Sequence, residues 1–111
     1  MDAETRERRR SQRYPMTLPL QIVRVSQDQA DLEGRTRNLS AKGAYFVVSE
    51  SLERGTAIEF LVTLQQELAT AGLVRLHCRG HVVRLDKLDG KDRLGVAATI
   101  DRYEFVRQAV N

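Results

Sequence analysis

The chain has no tryptophan, one cysteine, three lysines and an aromatic fraction of only 5%. Its single thiol, Cys78, cannot close an internal disulfide. With only His77 and His81 near it, Cys78 falls short of the four ligands at recurrent spacings that structural zinc takes. It reads as a small buried hydrophobe in a strand. Few aromatics leave few stacking platforms for single-stranded nucleic acid. No run approaches the roughly 20 apolar residues that span a bilayer. Met1 to Arg13 is charged and polar with no apolar segment behind it, so it does not read as a secretory signal and the expected setting is cytoplasmic. Covalent catalysis finds little support. His77 and Cys78 are adjacent in a strand and so point to opposite faces. Neither histidine has a nucleophile or carboxylate that sequence places beside it, so an enzyme is not expected.

What the chain does have is arginine. Of its 18 basic residues 15 are arginine, against 15 acidic residues and a net charge of +3. Arginine's fixed fork suits phosphate, carboxylate and guanine edges better than lysine's ammonium does. The 111 residues, 41% apolar and 30% charged, are enough for one domain with one core. There is no internal repeat or low-complexity tract.

Six short strands follow from the alternation of apolar and polar residues. Pro15 and Pro19 break any helix and leave an extended entry. A first strand covers about Thr17 to Val25, with Leu18, Leu20, either Ile22 or Val23, and Val25 on one wall. After a polar turn from Ser26 to Ala30, a second runs from Leu32 to Leu39, with Arg35 and Arg37 sharing a face. Ala44 to Val48 is a third. Thr56 to Leu64 is a fourth, with Ile58, Phe60, Val62 and Leu64 inward. Gln65 to Gly72 is a loop or one helical turn. Leu73 to Leu85 is too long for a flat strand and is expected to bend near Gly80, where a glycine marks a bulge or a close backbone approach. A polar connection with Gly90 leads to a last strand, Leu94 to Ile100. Asp101 with Glu104 then reads as a capping box, opening a short helix whose apolar side is Tyr103, Phe105, Val106, Ala109 and Val110. The expected fold is all-β, a six-stranded antiparallel barrel with a short C-terminal α-helix. Residues 1–13 would form a flexible basic arm and residues 14–111 the barrel domain.

Two polar clusters remain once core and turns are assigned. Arg8, Arg9, Arg10 and Arg13 precede the first strand, with Arg9 and Arg13 side by side in a helical turn or clasping a ligand from two sides in an extended arm. Guanidinium groups bind phosphate and guanine bidentately and stack on purines. A solubilising basic terminus is the plainer reading. Asn38-Leu39-Ser40-Ala41-Lys42-Gly43 forms a turn that offers an amide, a hydroxyl and a glycine. Gly43 permits left-handed backbone or close approach of a ligand; the plainer reading is a turn closed by its own side chains.

In their order and spacing, Arg9-x-x-x-Arg13 and Asn38-x-Ser40-x-x-Gly43 resemble the two motifs of the PilZ domain family. Tyr14-Pro15-Met16, Gly95-Val96-Ala97 and Ile100-Asp101 agree as flanks. The resemblance implies a barrel that binds the bacterial second messenger cyclic di-GMP and relays it, by a ligand-induced conformational change, to a downstream protein partner. It implies that Arg9 and Arg13 grip guanine and phosphate, with Arg8 or Arg10 auxiliary. It implies further that Asn38 reads the base, Ser40 contacts phosphate or base, and Gly43 admits the backbone. Some relatives carry a ligand-facing aromatic on a late strand, near where Val82 falls; with none here, Arg84 is the expected plane. Cyclic di-GMP is then a ligand, no cofactor or metal is implied, and direct nucleic-acid binding is not expected. The alternatives are a PilZ-like interaction domain that no longer binds nucleotide, and a small nucleic-acid-binding barrel.

Overall fold

The computed structural model describes residues 14–64, 73–88 and 93–108. The arginines at 8, 9, 10 and 13, the connection between Gln65 and Gly72, and the hairpin tip at Gly90 lie outside the described residues. Eight strands form one antiparallel sheet: β1 (Tyr14–Pro15), β2 (Pro19–Val25), β3 (Asp28–Leu39), β4 (Gly43–Val48), β5 (Ala57–Leu64), β6 (Leu73–Lys87), β7 (Leu94–Thr99) and β8 (Arg102–Gln108). Six of them close a ring in the order β3-β2-β5-β6-β7-β4, with β4 paired back on β3. This is the expected six-stranded barrel, and closure removes most of the open sheet edge. β1 adds to β3 and β8 to β6 outside the ring.

The core follows the alternation. β5 sends Ile58, Phe60 and Val62 inward, and β4 sends Ala44, Phe46 and Val48. Phe46 and Phe60 meet at the centre with rings 5.5 Å apart and tilted by 45°. Each fully buried side chain of this size contributes roughly 1.5–3 kcal/mol relative to exposure. Cys78 is fully buried, and burial pushes its thiol up to about 12, so the reactive thiolate is suppressed. The buried hydroxyl of Thr36 is satisfied: it donates to the carbonyl of Met16 at 2.5 Å and accepts from the amide of Leu18 at 2.8 Å. That pair of bonds fastens the entry of the chain to β3.

Three bulges set the phase of the walls. In β2 the register slips between Ile22 and Arg24, so that Leu20, Ile22 and Val25 all face inward. The choice between Ile22 and Val23 is thereby settled by a bulge, which lets Arg24 turn out to Glu59 at 3.4 Å. The other two slips fall between Thr36 and Asn38 in β3 and between Val82 and Arg84 in β6. The bend expected near Gly80 is divided in two. A Cβ there would stand 1.8 Å from the Thr99 carbonyl, so the close approach is real, while the bulge lies further on at Val83.

The expected C-terminal helix is not present: residues 102–108 form β8, and no helix occurs among the described residues. β8 pairs with the first half of β6, from Leu73 opposite Gln108 to Arg79 opposite Arg102. β7 covers that edge of β6 only from Val82 onward, so a helix at 102–108 would leave a row of unpaired backbone groups. Tyr103 and Phe105 also stand two apart, a strand period, and aromatic and β-branched residues favour strands. Asp101 and Glu104 do not cap a helix. Their carboxylates lie 2.9 Å from His81 and 3.6 Å from His77. Ala109 and Val110, which the helix reading also used, lie outside the described residues. No described helix is long and apolar enough to cross a membrane.

Candidate functional site

The bulges at Arg37 and Val83 do more than restore the core. Thr36 and Leu39 keep the inward phase of β3, and Val82 and Leu85 that of β6. Each bulge therefore leaves two successive residues turned outward, Arg37 with Asn38 and Val83 with Arg84. Across the sheet, Asn38 stands opposite Tyr45, Tyr45 opposite Ala97, and Ala97 opposite Arg84. With strands about 4.8 Å apart, this row spans about 14 Å of the outer wall. Two residues named from the sequence, Asn38 and Arg84, thus share one row although 46 positions separate them. Val82 itself is buried, and the outward positions of the late strand here are Val83 and Arg84.

Tyr45, which sequence reasoning passed over, sits in the middle. Its hydroxyl donates to Asp86 at 2.9 Å. Arg84 reaches the same carboxylate through Nε and Nη2 at 3.3 Å and lays its guanidinium 5.6 Å from the centre of the Tyr45 ring. The ring crosses β7 where a glycine makes room, because a Cβ on Gly95 would stand 2.0 Å from the Tyr45 oxygen. Burial and the hydrogen bond to Asp86 raise the Tyr45 pKa. Hydrogen bonds from Tyr45 and Arg84 hold the Asp86 carboxyl below its ordinary value, and Asp86 in turn raises that of Arg84. Asn38 is half-buried, and its side-chain amide has no hydrogen-bond partner among the described residues.

The turn beside Asn38 is closed by Ser40. Its amide donates to the Gly43 carbonyl at 2.9 Å, and its hydroxyl accepts from the amides of Lys42 and Gly43 at 3.3 and 3.2 Å. Gly43 is needed for a neighbour within the fold: a Cβ there would lie 2.8 Å from the Ala98 carbonyl. Positive φ among the described residues occurs at Ser26 and Gly55, and Gly43 does not adopt it. β1 pairs Tyr14 with Leu39 and Pro15 with Asn38, which brings the chain just after Arg13 against this turn. Arg8, Arg9, Arg10 and Arg13 themselves lie outside the described residues.

Further along β3 and β4 a groove of about 420 Å³ is lined by Arg35, Arg37, Arg93, Thr17, Glu33 and Ser49, among others. None of its three arginines has an ion-pair partner among the described residues. A separate polar cavity of about 580 Å³ lies at His77, Arg79, Asp101, Arg102, Tyr103 and Glu104. There His77 meets Glu59 at 3.0 Å, while Cys78 points into the core on the opposite face. No group of three or more His, Cys, Asp or Glu able to hold a metal occurs among the described residues.

The described residues form a closed six-stranded barrel with a polar row on its outer wall and β1 laid against the turn beside that row. The family model described as PilZ domain matches residues 7–108, and the chain belongs to the PilZ domain family, a family of non-catalytic modules whose general role is reception of cyclic di-GMP. Comparison with curated proteins and with solved structures gives no significant match.

Proposed function

We propose that this chain binds cyclic di-GMP between the arginine segment and the Asn38 to Arg84 row, and relays binding to a partner protein in a cytoplasmic setting. The observation that carries the reading is the pairing of Tyr14 with Leu39 and Pro15 with Asn38. It brings Tyr14, the residue after Arg13, beside the Asn38–Gly43 turn, and the four residues from Arg13 back to Arg9 reach at most about 14 Å when extended. Arg9 and Arg13 take phosphate and guanine, with Arg8 or Arg10 auxiliary. Asn38 offers its amide, without a partner among the described residues, to a base edge, and Arg84 offers a plane. Ser40 and Gly43 hold the turn in the shape the ligand meets, and the Ser40 hydroxyl adds a polar contact at the rim. The dianionic ligand offsets the mutual repulsion of the arginines and fixes their segment against the barrel.

The relay draws support from the far side of the same turn. Leu39, Ser40 and Ala41 line an apolar hollow of about 240 Å³ with Met16, Leu76, Ile100, Tyr103 and Phe105. Phe105 is 67% exposed and Tyr103 55%, so a movement of the turn on ligand binding alters an apolar surface available to a partner.

Calorimetric titration with cyclic di-GMP, with GTP and cyclic di-AMP as controls, tests the reading directly. Saturable binding of cyclic di-GMP alone, together with altered amide resonances at residues 6–14 and 39–41, is the expected result. No heat with cyclic di-GMP removes it.

A further inference from the structure

Arg84 is held with more care than its position on the surface explains. Exposed ion pairs contribute little to stability, and 56% of the Arg84 side chain is exposed. Yet its guanidinium is fixed from two directions. Asp86 accepts from both Nε and Nη2, and the Tyr45 ring lies beneath it at 5.6 Å. The second support is itself built. The Tyr45 hydroxyl is anchored on that same Asp86 at 2.9 Å, and a glycine in the middle of β7 makes room for it. Glycine within a strand is unfavourable through lost chain entropy and missing side-chain packing, so a reason for Gly95 is called for. The bulge at Val83 then turns the whole arrangement outward, into the row that holds Asn38, whose amide has no partner among the described residues.

A guanidinium is planar and stacks on rings with either face. Arg84 lies over the Tyr45 ring with Nε and Nη2 on Asp86, and 56% of its side chain stays open to a ring from solvent. We propose that Tyr45 and Asp86 are positioning residues for ligand binding, acting through Arg84: they hold its guanidinium as a flat, preorganised platform on which one purine of the ligand stacks, in the order Tyr45, Arg84, base. The platform takes the place of an aromatic side chain in a chain that carries no tryptophan. Holding the side chain in advance reduces the rotamer entropy that binding would otherwise cost. This rests on the reading that the row binds a cyclic dinucleotide.

The test is a double-substitution cycle in the full chain, titrated with cyclic di-GMP and accompanied by thermal melts. Arg84→Ala is expected to weaken binding by about tenfold and Tyr45→Ala by about fivefold, the range in which stacking on side chains falls. Because Tyr45 acts only through Arg84, adding Tyr45→Ala to Arg84→Ala should cause no further loss. Tyr45→Phe keeps the ring and should recover most of the affinity. Glu59→Gln, on the opposite wall, should leave binding unchanged. Should Tyr45→Ala fail to fold, Asp86→Asn keeps the ring in place and tests the same coupling against Arg84→Ala.

Additive losses, or a Tyr45→Ala chain that folds and binds as tightly as the unaltered one, overturn the positioning role and leave the proposed function standing. An unaltered chain that does not bind cyclic di-GMP removes the proposed function and the platform with it.

Discussion

Arginine is treated in opposite ways on the two walls of the barrel. On the β2–β5–β6 wall, Glu59 gathers Arg24 at 3.4 Å, Arg79 at 3.8 Å and His77 at 3.0 Å around one half-buried carboxylate. On the β3–β4 wall, Arg35, Arg37 and Arg93 line a groove without an ion pair to any described carboxylate, Glu33 of the same groove included. The first wall gives Arg24 and Arg79 a carboxylate from within the fold, although Arg75 of β6 has no ion pair among the described residues and its buried Nε no hydrogen-bond partner there. The second carries three arginines with no described carboxylate paired to them, and β1, the strand that follows Arg13 in the sequence, pairs with β3 on the same wall. The +3 net charge averages over both walls and so conceals this division.

The sharpest break of the contrast is Arg9→Ala combined with Arg13→Ala. Two charge-assisted contacts of roughly 1.5–3 kcal/mol each imply a loss of cyclic di-GMP affinity of at least about 100-fold by calorimetry, with an unchanged melting temperature. Gly95→Val comes next. Its side chain would displace the Tyr45 hydroxyl and should lower stability by about 1–3 kcal/mol in denaturant titration, while weakening the ligand by about tenfold. A matched pair compares the walls directly: Arg37→Ala should weaken binding by about fivefold and flatten its salt dependence, whereas Arg79→Ala should change neither. Equal effects from both would erase the distinction.

The smallest effect is one of pH. The folded Asp86 carboxyl lies below its ordinary value because Tyr45 and Arg84 donate to it. The unfolded chain therefore binds more protons at this group than the folded one does. Its contribution is fully present above the unfolded value near about 4 and fades as pH falls through the lower folded one. The difference in melting temperature between the unaltered chain and Asp86→Asn should be steady from neutral pH to about pH 5 and shrink below about pH 4.

The ring of six strands was readable because Ile58, Phe60 and Val62, or Ala44, Phe46 and Val48, keep strict alternation, and a period of two leaves one choice of face. It failed where a bulge inserts one residue, since the step from Thr36 to Leu39, or from Val82 to Leu85, breaks the count without any marker in the residue types. Those two steps turn Asn38 and Arg84 onto one row, so the site's assembly was hidden even though its residues had been named. Tyr45 was accessible: with Ala44 and Phe46 inward, it had to face out two residues past the motif glycine. The C-terminal segment was misread because Tyr103, Phe105 and Val106 satisfy a short helical spacing and a strand alternation alike. The open edge of β6 decides between them, and that edge is a tertiary fact. The arginine motif was legible only through its resemblance to the family, since charge alone fits any polyanion.

The two-residue pairing of β1 with β3 carries a consequence for tuning. On the proposed function, a binding element joined to its counterpart by so short a connection is present there at an effective concentration in the millimolar range or above, whatever the protein's own concentration. A ligand bridging segment and barrel therefore meets both halves at once. A peptide of residues 1–13 supplied separately to the barrel would have to reach that concentration to substitute. On the proposed function, affinity for the messenger is set by changes among residues 1–13 while the buried residues of the described barrel stay as they are. The barrel that reports the signal need not change while its threshold does.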